Sequence, residues 1–143
     1  MWRELAATLF QDARFSPPAR PEDLRRVEEE LAVGLPEELR ALLLESNGIA
    51  ASYGSPLVWS VAEIAAENLS FRRSSDFRDL YMPFEPLLFF GAEANGDRFG
   101  YRILDGRISA SSWIYKWDHE DDSRAWFASG LKDYIGRCAP NEA

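Results

Sequence analysis

Apolar positions recur along this chain at two different spacings, and the change from one to the other divides it. Trp2, Leu5, Ala6, Leu9 and Ala13 fall at helical spacing, so residues 1–15 predict a short N-terminal helix. SPPARP at 16–21 breaks the rhythm. It reads as a linker within the domain, because too little chain precedes it to build a second core. In PEDLRRVEEELAVG the stripe Leu24, Val27, Leu31 predicts a second helix, opened by Pro21 and closed by Gly34. LPEELRALLLESNG predicts a third. Pro36 suits its first turn, Glu37 and Glu38 favour its positive end, Leu39, Leu42 and Leu43 face inward, and Asn47-Gly48 supplies a left-handed stop.

From residue 56 the spacing alternates. PLVWS at 56–60 reads as a short strand, and VAEIAAENL returns to helix through Val61, Ile64, Ala65 and Leu69. SFRRSSDFRDLYM, 70–82, has no clean period and reads as a mobile loop or frayed helix end. PLLFFG at 86–91 is an unbroken apolar run of strand length, which predicts a central strand buried on both faces. In DRFGYRIL, Phe99, Tyr101 and Ile103 point to one side, and Arg98, Gly100 and Arg102 to the other. WIYKW places Trp113, Tyr115 and Trp117 on one face. Trp126, Phe127, Leu131, Tyr134 and Ile135 predict a last helix from about 123 to 137. Three late strands with short links imply an antiparallel meander, hence a single α+β domain over residues 1–143.

The polar knot EANGD joins two of those strands. Asn95-Gly96 is a strong hairpin signal, with Asp97 placed to cap the turn locally. A calcium loop needs oxygen ligands at alternating positions and a closing Glu, and a phosphate loop needs a glycine-lysine pattern before a helix. Neither is present, so the knot predicts scaffold.

Composition then narrows the classes of function. A formal net charge of -8 repels phosphate backbones, which argues against nucleic acid as a partner and suits a basic protein instead. No stretch is long enough to span a bilayer, and MWRELAATLF lacks the pattern of a secretory signal, so the expectation is a cytoplasmic protein with no membrane partner. The single cysteine, Cys138, excludes an intrachain disulfide. With one histidine, His119, and no paired ligand spacing, no metal is expected in WDHEDDSR. That stretch reads as a loop whose Asp122 or Ser123 caps the last helix. His119 has no recognisable nucleophile beside it, so no catalytic residue, no cofactor and no enzymatic activity are expected.

Two segments carry a family resemblance. VEEELAVGLPEELRALLLESNG, 27–48, resembles the signature helix pair of the SUKH superfamily, and PLLFFGAEANGDRFGYRI, 86–103, resembles its strand, turn and aromatic strand. The likeness spans roughly 20–137, departing where Glu38-Leu39 replaces a common acidic-aromatic pair. The resemblance implies an α+β fold of helices around a mostly antiparallel sheet, and a non-enzymatic role. Many bacterial members look like immunity proteins that neutralise toxins. Fungal cell-wall regulators suggest the alternative, a regulatory module for an endogenous partner. A toxin partner, for example a basic nuclease, would be occluded by a preformed surface. The expected surface is the less covered face of the sheet and its rim. Trp113, Tyr115 and Trp117 would be its anchors, and Asp118, Glu120 and Asp121 its steering charges. The 70–82 loop is the expected fallback should Trp117 be buried.

Overall fold

The computed structural model describes residues 1–51, 54–73, 82–93 and 95–140. In chain order the elements are α1 (Trp2–Leu9), β1 (Arg14–Phe15), α2 (Pro21–Leu31), α3 (Glu37–Glu45), β2 (Ile49–Ala51), β3 (Ser55–Val58) and α4 (Val61–Arg73). They continue with β4 (Leu87–Ala92), β5 (Arg98–Leu104), β6 (Arg107–Ile108), β7 (Ile114–Trp117), β8 (Arg124–Ala128) and α5 (Leu131–Cys138). The fold is α+β. A three-stranded sheet runs in the order β1-β2-β3, and a five-stranded sheet in the order β4-β5-β7-β8 with β6 on β5. Every pairing is antiparallel.

Local chemistry explains why the helix pair forms. Pro21 opens α2, and Ala32 closes it in the left-handed region. The Glu28 carboxylate then accepts Leu35 N–H at 2.8 Å and the Arg40 guanidinium at 2.6 Å, which fixes the Gly34-Leu35-Pro36 connection. Asn47 Oδ1 accepts Val61 N–H at 2.8 Å, so a side chain two residues past α3 caps α4. Gly48 has φ +101°, and a Cβ there would press on Ser60 N and Val58 O, so this position needs glycine.

Helix α4 is stitched to β4, which is fully buried but stands at the end of the larger sheet, where a central strand was expected. The buried Asn68 side chain donates to Phe89 O and accepts Phe89 N–H, both at 2.8 Å. The two sheets meet at β3 and β4: Trp59 N–H donates to Phe90 O at 2.7 Å and Tyr134 OH to Leu57 O at 2.6 Å. A Cβ at Gly91 would collide with the Leu57 carbonyl, so a glycine sits where the sheets touch. One core cluster runs through all of this, from Trp2 and Phe10 to Tyr134 and Ile135.

The expected hairpin is present. Every residue of β4 is buried, and Ala92 pairs with Arg98 across the turn. Of Asn95 and Gly96 only Gly96 carries a positive φ, at +105°, while the Asn95 side chain accepts Asp97 N–H at 3.0 Å.

Two further expectations are corrected. The first helix stops at Leu9, because residues 14–15 are extended and pair with Ile49 and Ala50 of β2. SPPARP remains a linker within the domain, as expected, and is packed, with Ala19 N–H on Leu43 O and Asn47 N–H on Pro17 O. The last helix begins at Leu131, because residues 124–128 pair with β7 as a strand. Gly130 stands between the two elements, and Asp122 does not cap a helix. Of the 70–82 segment, 70–73 completes α4, and 74–81 lies outside the described residues.

Candidate functional site

The register of the larger sheet decides which aromatics share a face. Arg98 opposes Trp117 and Gly100 opposes Tyr115, so Arg98, Gly100, Arg102 and Leu104 of β5 share a face with Tyr115 and Trp117 of β7. Phe99, Tyr101 and Ile114 point to the other face. There Tyr134 of α5 packs edge-on to Phe99 and Phe90, 4.9 and 5.0 Å between ring centroids.

Glu38 ties that covered side together. Its Oε2 accepts the Tyr101 hydroxyl at 2.9 Å and Leu131 N–H at 2.8 Å, so a carboxylate from α3 caps α5 and holds the sheet. Burial raises the Glu38 pKa above its ordinary value, and the two hydrogen bonds offset only part of that. Burial, with Glu38 beside it, also pushes the Tyr101 hydroxyl well up. The resemblance had an acidic-aromatic pair at this place; here the acid is retained for these bonds, and Leu39 is wholly buried.

Among the described residues, the opposite face is covered at one end only. Trp117 is 3% exposed and cannot serve as a surface anchor, which corrects that expectation; most of the expected fallback, the 70–82 loop, lies outside the described residues. Its ring lies 5.4 Å from Phe71 of α4 and 5.4 Å from Phe84, and its Nε1–H donates to Asp122 Oδ1 at 2.7 Å. Towards the other end the cover stops. Trp113 is 50% exposed and Leu104 55%, with Tyr115 half-buried beside exposed Arg102. These side chains, with Ile108, Ser109 and Ser111, line a cleft of about 190 Å³. Trp126 of β8 opposes Tyr115, is 46% exposed, and has the Arg137 guanidinium 5.2 Å from its ring centroid.

Leu104 and Trp126 were missed in the sequence. Leu104 continues the Arg98-Gly100-Arg102 alternation by one step, a signal that was there to be used. Trp126 was absorbed into a helical stripe that the structure does not contain.

Asp118, Glu120 and Asp121 form the β7–β8 turn, at the far end of β7 from Trp113. Five residues of strand place the two ends about 16 Å apart. The expected surface therefore splits into an apolar end at Trp113 and Tyr115 and an acidic end, with buried Trp117 between them. The acidic turn is built by its own side chains. Asp118 Oδ1 accepts Glu120 N–H at 2.8 Å and Asp121 Oδ1 accepts Ser123 N–H at 2.9 Å. Asp122 takes the left-handed position, φ +61°, and its Oδ2 accepts Met82 N–H at 2.8 Å.

This turn is clamped to the EANGD hairpin. Asp97 is 5% exposed, and its Oδ1 accepts His119 N–H at 3.1 Å and meets His119 Nδ1 at 2.6 Å. Lys116 Nζ lies 3.7 Å from Asp97 and 3.2 Å from Glu93. Burial works against the Asp97 carboxylate, but the His119 donors and the Lys116 charge outweigh it and leave its pKa below the ordinary value. The hydrogen bond that His119 donates to Asp97 raises the His119 pKa. So Asp97 locks two turns together, beyond its expected local cap. One ligand atom each from Asp97, Asp118 and His119 come within 4.8 Å of one another, but Nδ1 of His119 is already spent on Asp97. Cys138 is half-buried, and burial pushes its thiol up to about 12, which makes it a poor nucleophile.

Comparison with known proteins agrees with this architecture. No curated protein matches the chain. Among solved structures, an uncharacterized protein from Salmonella enterica subsp. enterica serovar typhimurium str. 14028s superposes with a TM-score of 0.53 at 17% identity, covering 94% of this chain and 73% of that one. That likeness shows the fold alone. A family model, SUKH_6, described as SMI1-KNR4 cell-wall, matches residues 21–135, from the first residue of α2 into α5. Those residues contain the Glu28–Arg40 link, the Asn47 cap, the Gly96 hairpin and the half-covered sheet, and the chain belongs to the SUKH superfamily.

Proposed function

We propose that this protein is a non-catalytic binding domain, and that it acts as an immunity protein by occluding a secreted bacterial toxin. SUKH domains are protein-interaction modules, and the family is generally non-enzymatic. The observation that carries the reading is the uncovered end of the larger sheet. Leu104, Trp113 and Trp126 are each close to half exposed there, in a chain of net charge -8. Large apolar groups in contact with water at one place, with an arginine beside them, have the make-up of an interface centre. The acidic turn supplies the long-range field. It raises the encounter rate with a basic partner such as a nuclease and does little for residence time.

The test is coexpression. Products of genes adjacent to this one are expressed singly to find any that arrest growth, then together with this protein. Neutralisation predicts that growth is restored and that the two proteins elute as one complex. A Trp113→Ala variant that still folds should restore less. If a toxic neighbour stays toxic and does not bind, the immunity reading fails. Binding of an endogenous protein through the same residues would make the domain a regulatory module.

A further inference from the structure

We propose that the outer edge of β8 is a strand-addition site, taking an extended basic segment of a heterologous partner protein. The inference rests on the reading of this chain as a binding domain and names how the partner would be held. β8 is the last strand of its sheet. Its inner edge pairs with β7: Lys116 opposes Ala125 and Trp117 opposes Arg124. Asp118 N–H donates to Ser123 O at 2.9 Å, which makes 118 and 123 a hydrogen-bonded pair. Bonded and non-bonded pairs alternate along an antiparallel ladder, so Ala125 bonds to Lys116. The N–H and C=O groups of Arg124 and Trp126 then point away from the sheet. Among the described residues none pairs with that edge.

Such an edge is usually protected by lysine, proline, a bulge or an overlying element. The strand RAWFA has no lysine and no proline. Its one charge is turned away, because the Arg124 guanidinium donates to Pro83 O and Met82 O, both at 2.8 Å. The bulge against β7 comes after Trp126, so 124–126 stays regular. Trp126, 46% exposed, offers an apolar contact for a side chain of an added strand.

The charge around the edge selects the occupant. Asp118, Glu120 and Asp121 lead into β8, and Arg137, whose guanidinium lies 5.2 Å from the Trp126 ring centroid, is paired with Asp133 at 2.9 Å. A segment with cationic side chains meets attraction here. A second copy of this chain would bring another net charge of -8 and meets repulsion.

The probe is an acetylated, amidated octapeptide of alternating lysine and valine, titrated into isotope-labelled protein while backbone amide exchange is followed residue by residue. At about ten times the measured Kd, the Arg124 and Trp126 amides should exchange about tenfold more slowly. Ala125, already bonded to Lys116, should be unchanged. The same peptide with alternate N-methyl groups along its pairing edge should not protect, and a glutamate-valine peptide should bind more weakly. Absence of titratable binding, or protection only elsewhere, overturns the proposal. Equal binding of the glutamate peptide overturns its basic character. Protection of these amides without peptide, with self-association on raising the concentration, assigns the edge to a second copy and overturns it too. If a toxin complex forms while these amides stay unprotected, the edge inference fails and the immunity reading stands.

Discussion

Replacing Glu38 by alanine should destabilise this domain well beyond its own helix, because one carboxylate joins three elements. It accepts Leu131 N–H, the first helical donor of α5, at 2.8 Å and the Tyr101 hydroxyl at 2.9 Å. Losing a helix cap costs about 1 kcal/mol. Leaving the Tyr101 hydroxyl, on a wholly buried side chain, without an acceptor costs about 1–3 kcal/mol more. Removing a partly desolvated carboxylate returns some of this, so Glu38→Ala should lose about 2–4 kcal/mol in urea denaturation with the slope m unchanged. Glu38→Gln keeps an acceptor and should lose less. Tyr101→Phe should cost clearly less in the alanine background than in the wild type, since the hydroxyl there has nothing left to lose. The pH dependence has a definite sign. Burial raises the folded pKa of Glu38 above its ordinary 4.5, so the folded state holds this proton longer than the unfolded chain. Stability from this group therefore falls as pH rises through that interval, and the difference between wild type and Glu38→Gln should shift in favour of wild type as the solution is acidified. An alanine variant within about 0.5 kcal/mol of wild type, or mutations at 38 and 101 that simply add, would refute the clamp.

Three further outcomes follow from the same structure. Trp117→Ala should destabilise by about 3–5 kcal/mol as a core truncation, while Trp117→Phe, which keeps a ring against Phe71 and Phe84, should lose far less in the same denaturation assay. The triple change Asp118→Asn, Glu120→Gln, Asp121→Asn keeps the side-chain acceptors of the turn; stopped-flow association with the partner should slow at low salt and lose its salt dependence, with dissociation unchanged. The His119–Asp97 pair should stabilise most between the ordinary carboxyl value 3.8 and the ordinary imidazole value 6.5. Its contribution is lost below as Asp97 takes up a proton and above as pH passes the raised pKa of His119. An imidazole titration by nuclear magnetic resonance should show that raised value fall in Asp97→Asn.

Much of the fold was legible because its signals are local. The Asn95-Gly96 turn sets its own hairpin, and the unbroken PLLFFG run marks a strand buried on both faces, although β4 stands at the end of its sheet and not at its centre. The α2–α3 pair is marked by Pro21 and Pro36, each acting within a residue or two of itself, although left-handed Ala32 closes α2 where Gly34 was expected to. What was not legible depends on distant partners. Residues 124–128 are a strand because 114–117 lie beside them; in isolation Trp126 and Phe127 fit a helical stripe with Leu131 and Tyr134. β1 is two residues long and exists through pairing with β2, more than 30 residues on. Alternation put Trp113, Tyr115 and Trp117 on one face correctly. It could not reveal that Phe71 and Phe84 cover Trp117 and leave Trp113 in water, since that cover is tertiary.

The central claim is that the uncovered end of the larger sheet and its rim are where a protein partner is held. Amide hydrogen exchange, compared between the free protein and its purified complex, tests it most directly. The account predicts new protection at Leu104, at Trp113–Tyr115, in the Asp118–Asp122 turn and at Arg124 and Trp126, with Ala125 and the buried β4 unchanged. Protection confined instead to the cleft between α2 and α4, around Asp23, Arg26, Ala62 and Ala66, would contradict it.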